Sequence, residues 1–387
     1  MGTRNNSEGS NRPRGYRYLN ILTNHLGGSV EQIFNGQLVY PRQLEIHLPG
    51  DHEKACNFGC YYCQGRFLEQ PLAAYEERAL KLLDDLEGRI PFVIYGGTYT
   101  EPLLNPYLAE FLEVTKRHNS TYGIHTNGSL LGRLEEEDGF LTRLCHIATS
   151  PDDYLSISLD AGTPESHMKT KSLQENSFDA IIRGIQMAIS LRGDFDKPAV
   201  RVCYLLNEHN SSQGEIEEII GTMRGMGVDS LRFSIPYYPY GKDFLTVRRY
   251  KERVEVLQHE RFQSMFEPLM SKDDGERPFI FYLSPEHQDV ERMDFRQCVY
   301  SYYQITLGAD GFVYKCSSTA TPSFSMNRLG EIPDSLEEFE KMIIANHNPD
   351  FRPSTCFKVG ARCNRIALEI NLNWKKLTKN SAWGDGK

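Results

Sequence analysis

Nowhere in its 387 residues does the chain carry an apolar run approaching the roughly 18 to 20 residues that a membrane span needs. Met1 to Arg14 is polar and rich in Asn and Arg, without the apolar centre of a signal peptide, so a cytoplasmic location and no membrane partner are expected. Basic excess is missing too. The formal net charge is −9 and the pI is near 5.7, which argues against nucleic acid as the main partner. No internal repeat or low-complexity segment stands out. Nine cysteines, an odd number dispersed over a long chain, make a poor disulfide framework and a natural set of metal ligands with a few spare thiols.

What is present is a dense cysteine run, Cys56-Asn57-Phe58-Gly59-Cys60-Tyr61-Tyr62-Cys63, just past an expected strand. Four thiolates normally close an iron–sulfur or zinc site. Here there are three, and the nearest downstream cysteine is Cys145. Three thiolates in one short loop suggest a cluster with one iron left open for a ligand. A structural zinc knuckle or three free thiols are the bland alternatives, although zinc sites favour paired Cys-x2-Cys units.

Around that run the chain alternates strand-like and helix-like stretches, the pattern of a parallel α/β sheet. Residues 1–15 have almost nothing to bury and are expected to be a disordered tail, followed by a helical lead-in at 16–40. Six strands are expected at 43–48, 91–95, 121–125, 154–159, 199–206 and 230–235, with helices at 73–86, 106–118, 131–148, 178–191 and 216–226. Six such units with right-handed crossovers curl into a partial barrel over 41–235. Loops at the carboxyl ends of the strands build the site in such folds, and the cysteine run lies at one of these ends. Residues 236–297 break the pattern and are expected to bridge to a C-terminal module at 298–375.

The Cys-x3-Cys-x2-Cys spacing resembles the signature of the radical S-adenosylmethionine (SAM) superfamily. The resemblance implies that Cys56, Cys60 and Cys63 hold a [4Fe-4S] cluster whose fourth iron is chelated by SAM, with Tyr62 near the adenine. Gly96-Gly97 followed by Glu101-Pro102 resembles the family's Gly-Gly-Glu-Pro element, with three residues intervening, and implies that Gly96, Gly97 and Glu101 bind the SAM ammonium. Glycine permits close backbone approach and a carboxylate can pair with an ammonium. An ordinary turn with a helix-capping acid is the alternative. Thr126-Asn127-Gly128 and Ser156 to Gly162 resemble the family's "TNG" and "S-x-D" stretches, implying SAM contacts from Asn127, Ser158 and Asp160. Asn207 is a weaker candidate of the same kind.

Towards the C-terminus, Cys298, Gly311 and Cys316 match the spacing of the twitch/SPASM extensions of this superfamily, with a hairpin expected at 308–314. Cys356 and Cys363 complete four thiolates, enough for one auxiliary [4Fe-4S] cluster or for a zinc ribbon. The fold class implied is α/β, a partial (β/α)6 barrel with a small C-terminal α+β module of this twitch/SPASM-like kind. Cys145 and Cys203 have no partner spacing and are expected to be buried, inert thiols.

The family's chemistry implies reductive cleavage of SAM to a 5′-deoxyadenosyl radical, hydrogen abstraction from a substrate, and a reductant such as flavodoxin or ferredoxin. Oxidation or rearrangement of a small polar sugar- or aminocyclitol-like molecule is expected. About 40 residues precede strand one, too few for the winged peptide-recognition domain of many peptide modifiers. Modification of a ribosomally made peptide is the alternative, and a non-catalytic iron–sulfur or zinc protein is the alternative of another class. Tyr99, Thr100, His125, Tyr237, Tyr238, Tyr240 and Lys242, near expected strand ends, are candidate substrate contacts, against which simple packing must be weighed. No catalytic acid or base is assigned.

Overall fold

Short β-branched and aromatic runs separated by amphipathic helices are the raw material of a parallel sheet, and the chain folds that way. The computed structural model describes residues 29–234, 261–270, 279–283 and 300–347, apart from 30, 31, 34, 64, 66–68, 98, 194 and 195. Strands β1 (Gln43–His47), β2 (Phe92–Gly96), β3 (Thr121–Thr126), β4 (Tyr154–Ser158), β5 (Ala199–Leu205) and β6 (Ser230–Ser234) lie side by side in chain order, all parallel. β7 (Ile280–Leu283) adds a further parallel strand beside β6.

Between the strands run α1 (Glu76–Asp85), α2 (Leu108–Arg117), α3 (Leu131–Asp138), α4 (Phe140–Ile147), α5 (Pro164–Lys171), α6 (Phe178–Arg192) and α7 (Gln213–Met226). The single helix expected over 131–148 is two. Gly139, at φ +62, ends α3 in the left-handed conformation and starts α4, a role that suits a residue without Cβ. α5 was not foreseen, because it lacks an apolar stripe. Its start is nonetheless written in the sequence: Thr163 and Ser166 form a capping box, with Pro164 at the first helical position.

On the other side of β1 the sheet continues through β8 (Gln304–Leu307), parallel to β1, then β9 (Phe312–Tyr314) and β10 (Arg328–Glu331), each antiparallel to its predecessor. The expected hairpin at 308–314 is therefore present, with Gly311 at φ +83 in its turn. It joins the same ten-stranded sheet, order β10-β9-β8-β1-β2-β3-β4-β5-β6-β7. Helix α8 (261–270) sets Phe262 against Tyr282, and Phe266 against Phe233 and Tyr282, while α9 (Leu336–Asn346) packs along β10. The tail expected at 1–15 and residues 16–28 of the lead-in lie outside the described residues, as does most of 236–297.

Alternate residues of each strand face opposite ways. Leu44, Ile46, Ile124, Leu155, Ile157, Val200, Val202, Leu231 and Phe233 are all fully buried in the main apolar core with the helices. Their neighbours in sequence are Glu45, His47, His125, Ser156, Arg201, Cys203 and Arg232. Strands of a two-sided parallel sheet are normally apolar on both faces. This polar second face needs another explanation, which the side-chain geometry supplies.

Candidate active site

Glu45, His47, Arg201 and Arg232 all act electrostatically on one imidazole, that of His125. β3, which carries His125, stands between β1 and β6, so groups from both sides reach this ring across the polar face, and the space in front of that face is the lumen. His125 is enclosed by protein yet keeps surface open to that lumen, and burial pulls its pKa down to about 4, so the ring is neutral at pH 7. Its Nε2 lies 2.8 Å from the Tyr154 hydroxyl. Glu45 accepts from Gln304 Nε2 at 2.7 Å and meets His47 Nε2 at 2.9 Å. Burial works to raise the Glu45 pKa, but the bond to His47 and the field of that imidazole outweigh it, and the carboxylate is held low.

The cysteine loop leaves the carboxyl end of β1 and closes over the ends of its neighbours. Its sulfurs are half-buried. Burial, then the Glu101 charge, pushes the Cys56 thiol up to about 12, and burial raises Cys60 as well. Cys60 and Cys63 add to the rise at Cys56, so the three thiols stand within electrostatic reach of one another. Among the described residues no three His, Cys, Asp or Glu side chains gather tightly enough for a single metal ion. The fit to a four-iron cluster rests on the donor set, three half-buried thiols in one loop, whose mutual repulsion a cationic metal core would reverse.

Two polar anchors fix this loop to the sheet. The first is Glu101, which caps the short 3-10 helix Pro102–Leu104 and donates its backbone N–H to Ala55 O at 2.8 Å. Its carboxylate, 2 % exposed, accepts from Leu103 N (3.1 Å), Thr126 Oγ1 (2.5 Å) and Asn127 N (2.8 Å). Burial still raises its pKa. Asn127 passes the connection on, donating to Asn57 Oδ1 at 2.8 Å and to Cys56 Sγ at 3.8 Å. The expected ligand carboxylate thus also holds the loop.

The second anchor is a buried charge pair. Asp160 sits just past β4 with φ +54, a left-handed conformation that Asp tolerates better than most residues. Its Oδ1 accepts from Leu205 N at 2.7 Å, and its Oδ2 accepts from Lys171 Nζ at 2.5 Å and from the Tyr62 hydroxyl. Lys171 also donates to Tyr62 at 3.0 Å. Burial works against the Lys171 charge, but Asp160, Cys60 and Cys56 outweigh it and its pKa is raised. Burial first, then Asp160, drives the Tyr62 phenol well above its ordinary value.

Lys171 is the site residue that sequence reasoning missed. It ends α5, and the capping box at Thr163 was the available signal. Tyr62, Glu101, Asn127 and Asp160 do come together around the cysteines. Ser158 ends β4 half-buried, paired with Cys203 on β5. At Gly97 a Cβ would stand 2.0 Å from Thr100 Oγ1, which alone explains the glycine there, while Gly96 ends β2 beside His125.

Among the other candidates, Tyr99 is buried with its hydroxyl donating to Pro71 O, and Thr100 is buried near Gly96 O. Both pack. Asn207 Nδ2 donates to Leu205 O, a turn contact. Cys203 is buried as expected, but on the polar face, 3.2 Å from Ser156 Oγ and 3.0 Å from Arg232 Nη2. Cys145 is half-buried on α4 rather than buried. Cys316 follows β9, while Cys298, Cys356, Cys363, Tyr237, Tyr238, Tyr240 and Lys242 lie outside the described residues.

Residues 52–220, which span the cysteine loop and both of its anchors, match the Radical SAM superfamily model. The chain carries a radical SAM domain. Its fold is similar to that of Streptococcus suis SuiB bound to S-adenosylmethionine, at TM-score 0.55 and 13 % identity, covering 91 % of this chain and 82 % of that one. SuiB bound to its precursor peptide SuiA gives TM-score 0.54 and 14 % identity, covering 82 % of this chain and 67 % of that one. At such identity the likeness is one of fold. No curated protein matches the chain. The family of that domain uses a [4Fe-4S] cluster and SAM, and no helix among the described residues is long and apolar enough to cross a membrane.

Proposed function

We propose that Cys56, Cys60 and Cys63 ligate the family's [4Fe-4S] cluster and that SAM lies against Tyr62, Gly96, Gly97, Glu101, Asn127, Ser158 and Asp160. The observation carrying this reading is the double anchoring of the cysteine loop, by Glu101 and Asn127 on one side and by the Tyr62–Asp160–Lys171 group on the other. When bound, the reduced cluster supplies the electron that splits a sulfur–carbon bond of SAM, and the resulting 5′-deoxyadenosyl radical takes a hydrogen atom from the substrate. A reductant such as flavodoxin or ferredoxin would feed it.

The chain's own residues do the positioning. Lys171 keeps a positive charge beside Cys60 and Cys56, which offsets the negative charge of thiolate ligation. Glu101 also braces the loop, its oxygens accepting from Leu103 N, Thr126 Oγ1 and Asn127 N. The polar lumen beneath the loop holds the substrate and limits access of solvent to the reacting carbon. Its charged and hydroxyl groups favour oxidation or rearrangement of a small polar molecule of the sugar or aminocyclitol kind. Peptide modification is a second reading, favoured by a fold neighbour that binds a precursor peptide.

Cys298, Cys316, Cys356 and Cys363 are proposed to hold an auxiliary [4Fe-4S] cluster, giving a short twitch-like module from 298 onward. Anaerobic reconstitution followed by SAM and dithionite should yield 5′-deoxyadenosine. Full cluster loading with no such product would reject the enzymatic reading of these residues. In a Cys56→Ala/Cys60→Ala/Cys63→Ala variant, about four irons should remain, the content of one [4Fe-4S] cluster; zinc in their place would reject the second cluster.

A further inference from the structure

The lumen contains a platform that the SAM reading does not use. Gly123 on β3 leaves room for the Tyr154 ring to lie across the strand: a Cβ there would come within 2.4 Å of Tyr154 Cζ. The Tyr154 hydroxyl meets His125 Nε2 at 2.8 Å, which fixes the ring's free end. Over this ring stacks the Arg201 guanidinium, its central carbon 4.1 Å from the ring centroid.

Arg201 is half-buried on β5 and makes no hydrogen bond or ion pair with any described residue. A guanidinium is permanently charged, and removing it from water without an anionic partner is costly. The carboxylate of the lumen, Glu45, does not serve it, because Glu45 is committed to His47 and Gln304. His125 is neutral at pH 7 and brings no counter-charge. The guanidinium lies over the ring, and among the described residues nothing occupies its N–H fork, the group that takes a carboxylate through two parallel hydrogen bonds. Arg201 is level with Ser156 and therefore about 7 Å below Ser158, two residues along the strand.

We propose that the substrate carries a carboxylate group, bound by Arg201 on the Tyr154 platform, which holds its reacting carbon higher in the lumen beneath the cysteine loop. This names the substrate class for the site described above and rests on the reading of that site as a radical SAM centre. One planar monoanion matches one open fork. A phosphate, which calls for more donors, is the competing anion.

Arginine labelling of the full-length, anaerobically reconstituted protein with phenylglyoxal, followed by peptide mapping, tests this. Acetate, butyrate and glycolate are each compared with the matching neutral amide, and inorganic phosphate is run beside them. Carboxylates should slow labelling at Arg201 several-fold while their amides do not. Equal labelling with acid and amide overturns the proposal, and so does protection by phosphate alone. Formation of 5′-deoxyadenosine by the same preparation is scored separately. If it forms without selective protection, the carboxylate proposal fails while the SAM reading stands; protection without it supports the anion site and counts against the SAM reading.

Discussion

The two faces of the same strands are built by opposite rules. Outward, Leu155, Ile157, Val200 and Val202 are fully buried against helices and carry no chemistry. Inward, one residue along in each case, stand Ser156, Arg201 and Cys203, joined to Arg232, Tyr154 and His125 by hydrogen bonds, ring contact and charge. The difference teaches that burial stabilises the fold through one face, while the other keeps polar groups enclosed at a cost the outer face must offset. Where the two faces end, at the carboxyl rim of β4, the cost is greatest.

That rim gives the largest expected break. Replacing Lys171 with Met leaves Asp160 buried without its counter-charge, a loss of about 3 to 5 kcal/mol in urea unfolding. The partner substitution sharpens the point. Asp160→Asn in the Lys171→Met background removes the stranded charge while keeping an acceptor for Leu205 N and a residue tolerant of positive φ. The double variant should recover more than half of the loss. If it is no more stable than Lys171→Met alone, the pair is not what holds this rim.

The next comparison sets neighbours in sequence against each other. Leu155→Ala opens a cavity in the outer core and should cost about 2 to 5 kcal/mol. Ser156→Ala, one residue along on the inner face, loses a bond to Cys203 and should cost less than about 1 kcal/mol. Similar losses at the two positions, measured as urea midpoints, would mean that the inner face is packed like a core rather than enclosing a lumen.

The outer face was legible in the sequence because apolar periodicity is local, and all six parallel strands fall within a residue or two of their expected bounds. The cysteine run was legible by spacing alone. The inner face was not, because its members are isolated polar residues in strands that look simply buried. Arg201 and Glu45 lie over 150 positions apart, and only the strand order of the sheet brings both to His125. Likewise β8 gave a hairpin signal, yet nothing local says that it pairs with β1. Glu101 was noticed as an acid after a glycine pair; that its oxygens also accept from Thr126 and Asn127 follows from tertiary packing.

His167 breaks the division between the faces, being a polar ring at 0 % exposure among apolar neighbours. Its centroid lies 5.8 Å from that of Phe58 and 6.0 Å from that of Phe178, and neither ring nitrogen has a hydrogen-bond partner. Burial, then the Lys171 charge, lowers its pKa to about 4. An unfolded chain protonates this histidine near 6.5, so between pH 6.5 and 4 the unfolded state holds more protons and stability falls as pH falls. Above pH 6.5 the two states carry the same neutral ring and the effect vanishes. At pH 5 the shift amounts to about 2 kcal/mol, and across the whole window to no more than about 3 kcal/mol. His347, also lowered to about 4 by burial, adds a slope of its own. A His167→Phe variant should therefore lose part of the drop in urea midpoint between pH 7 and pH 5 while keeping the part due to His347. An unchanged slope would mean that His167 gains a proton in the folded protein as readily as in the unfolded chain, and that the seat beneath Phe58 admits water.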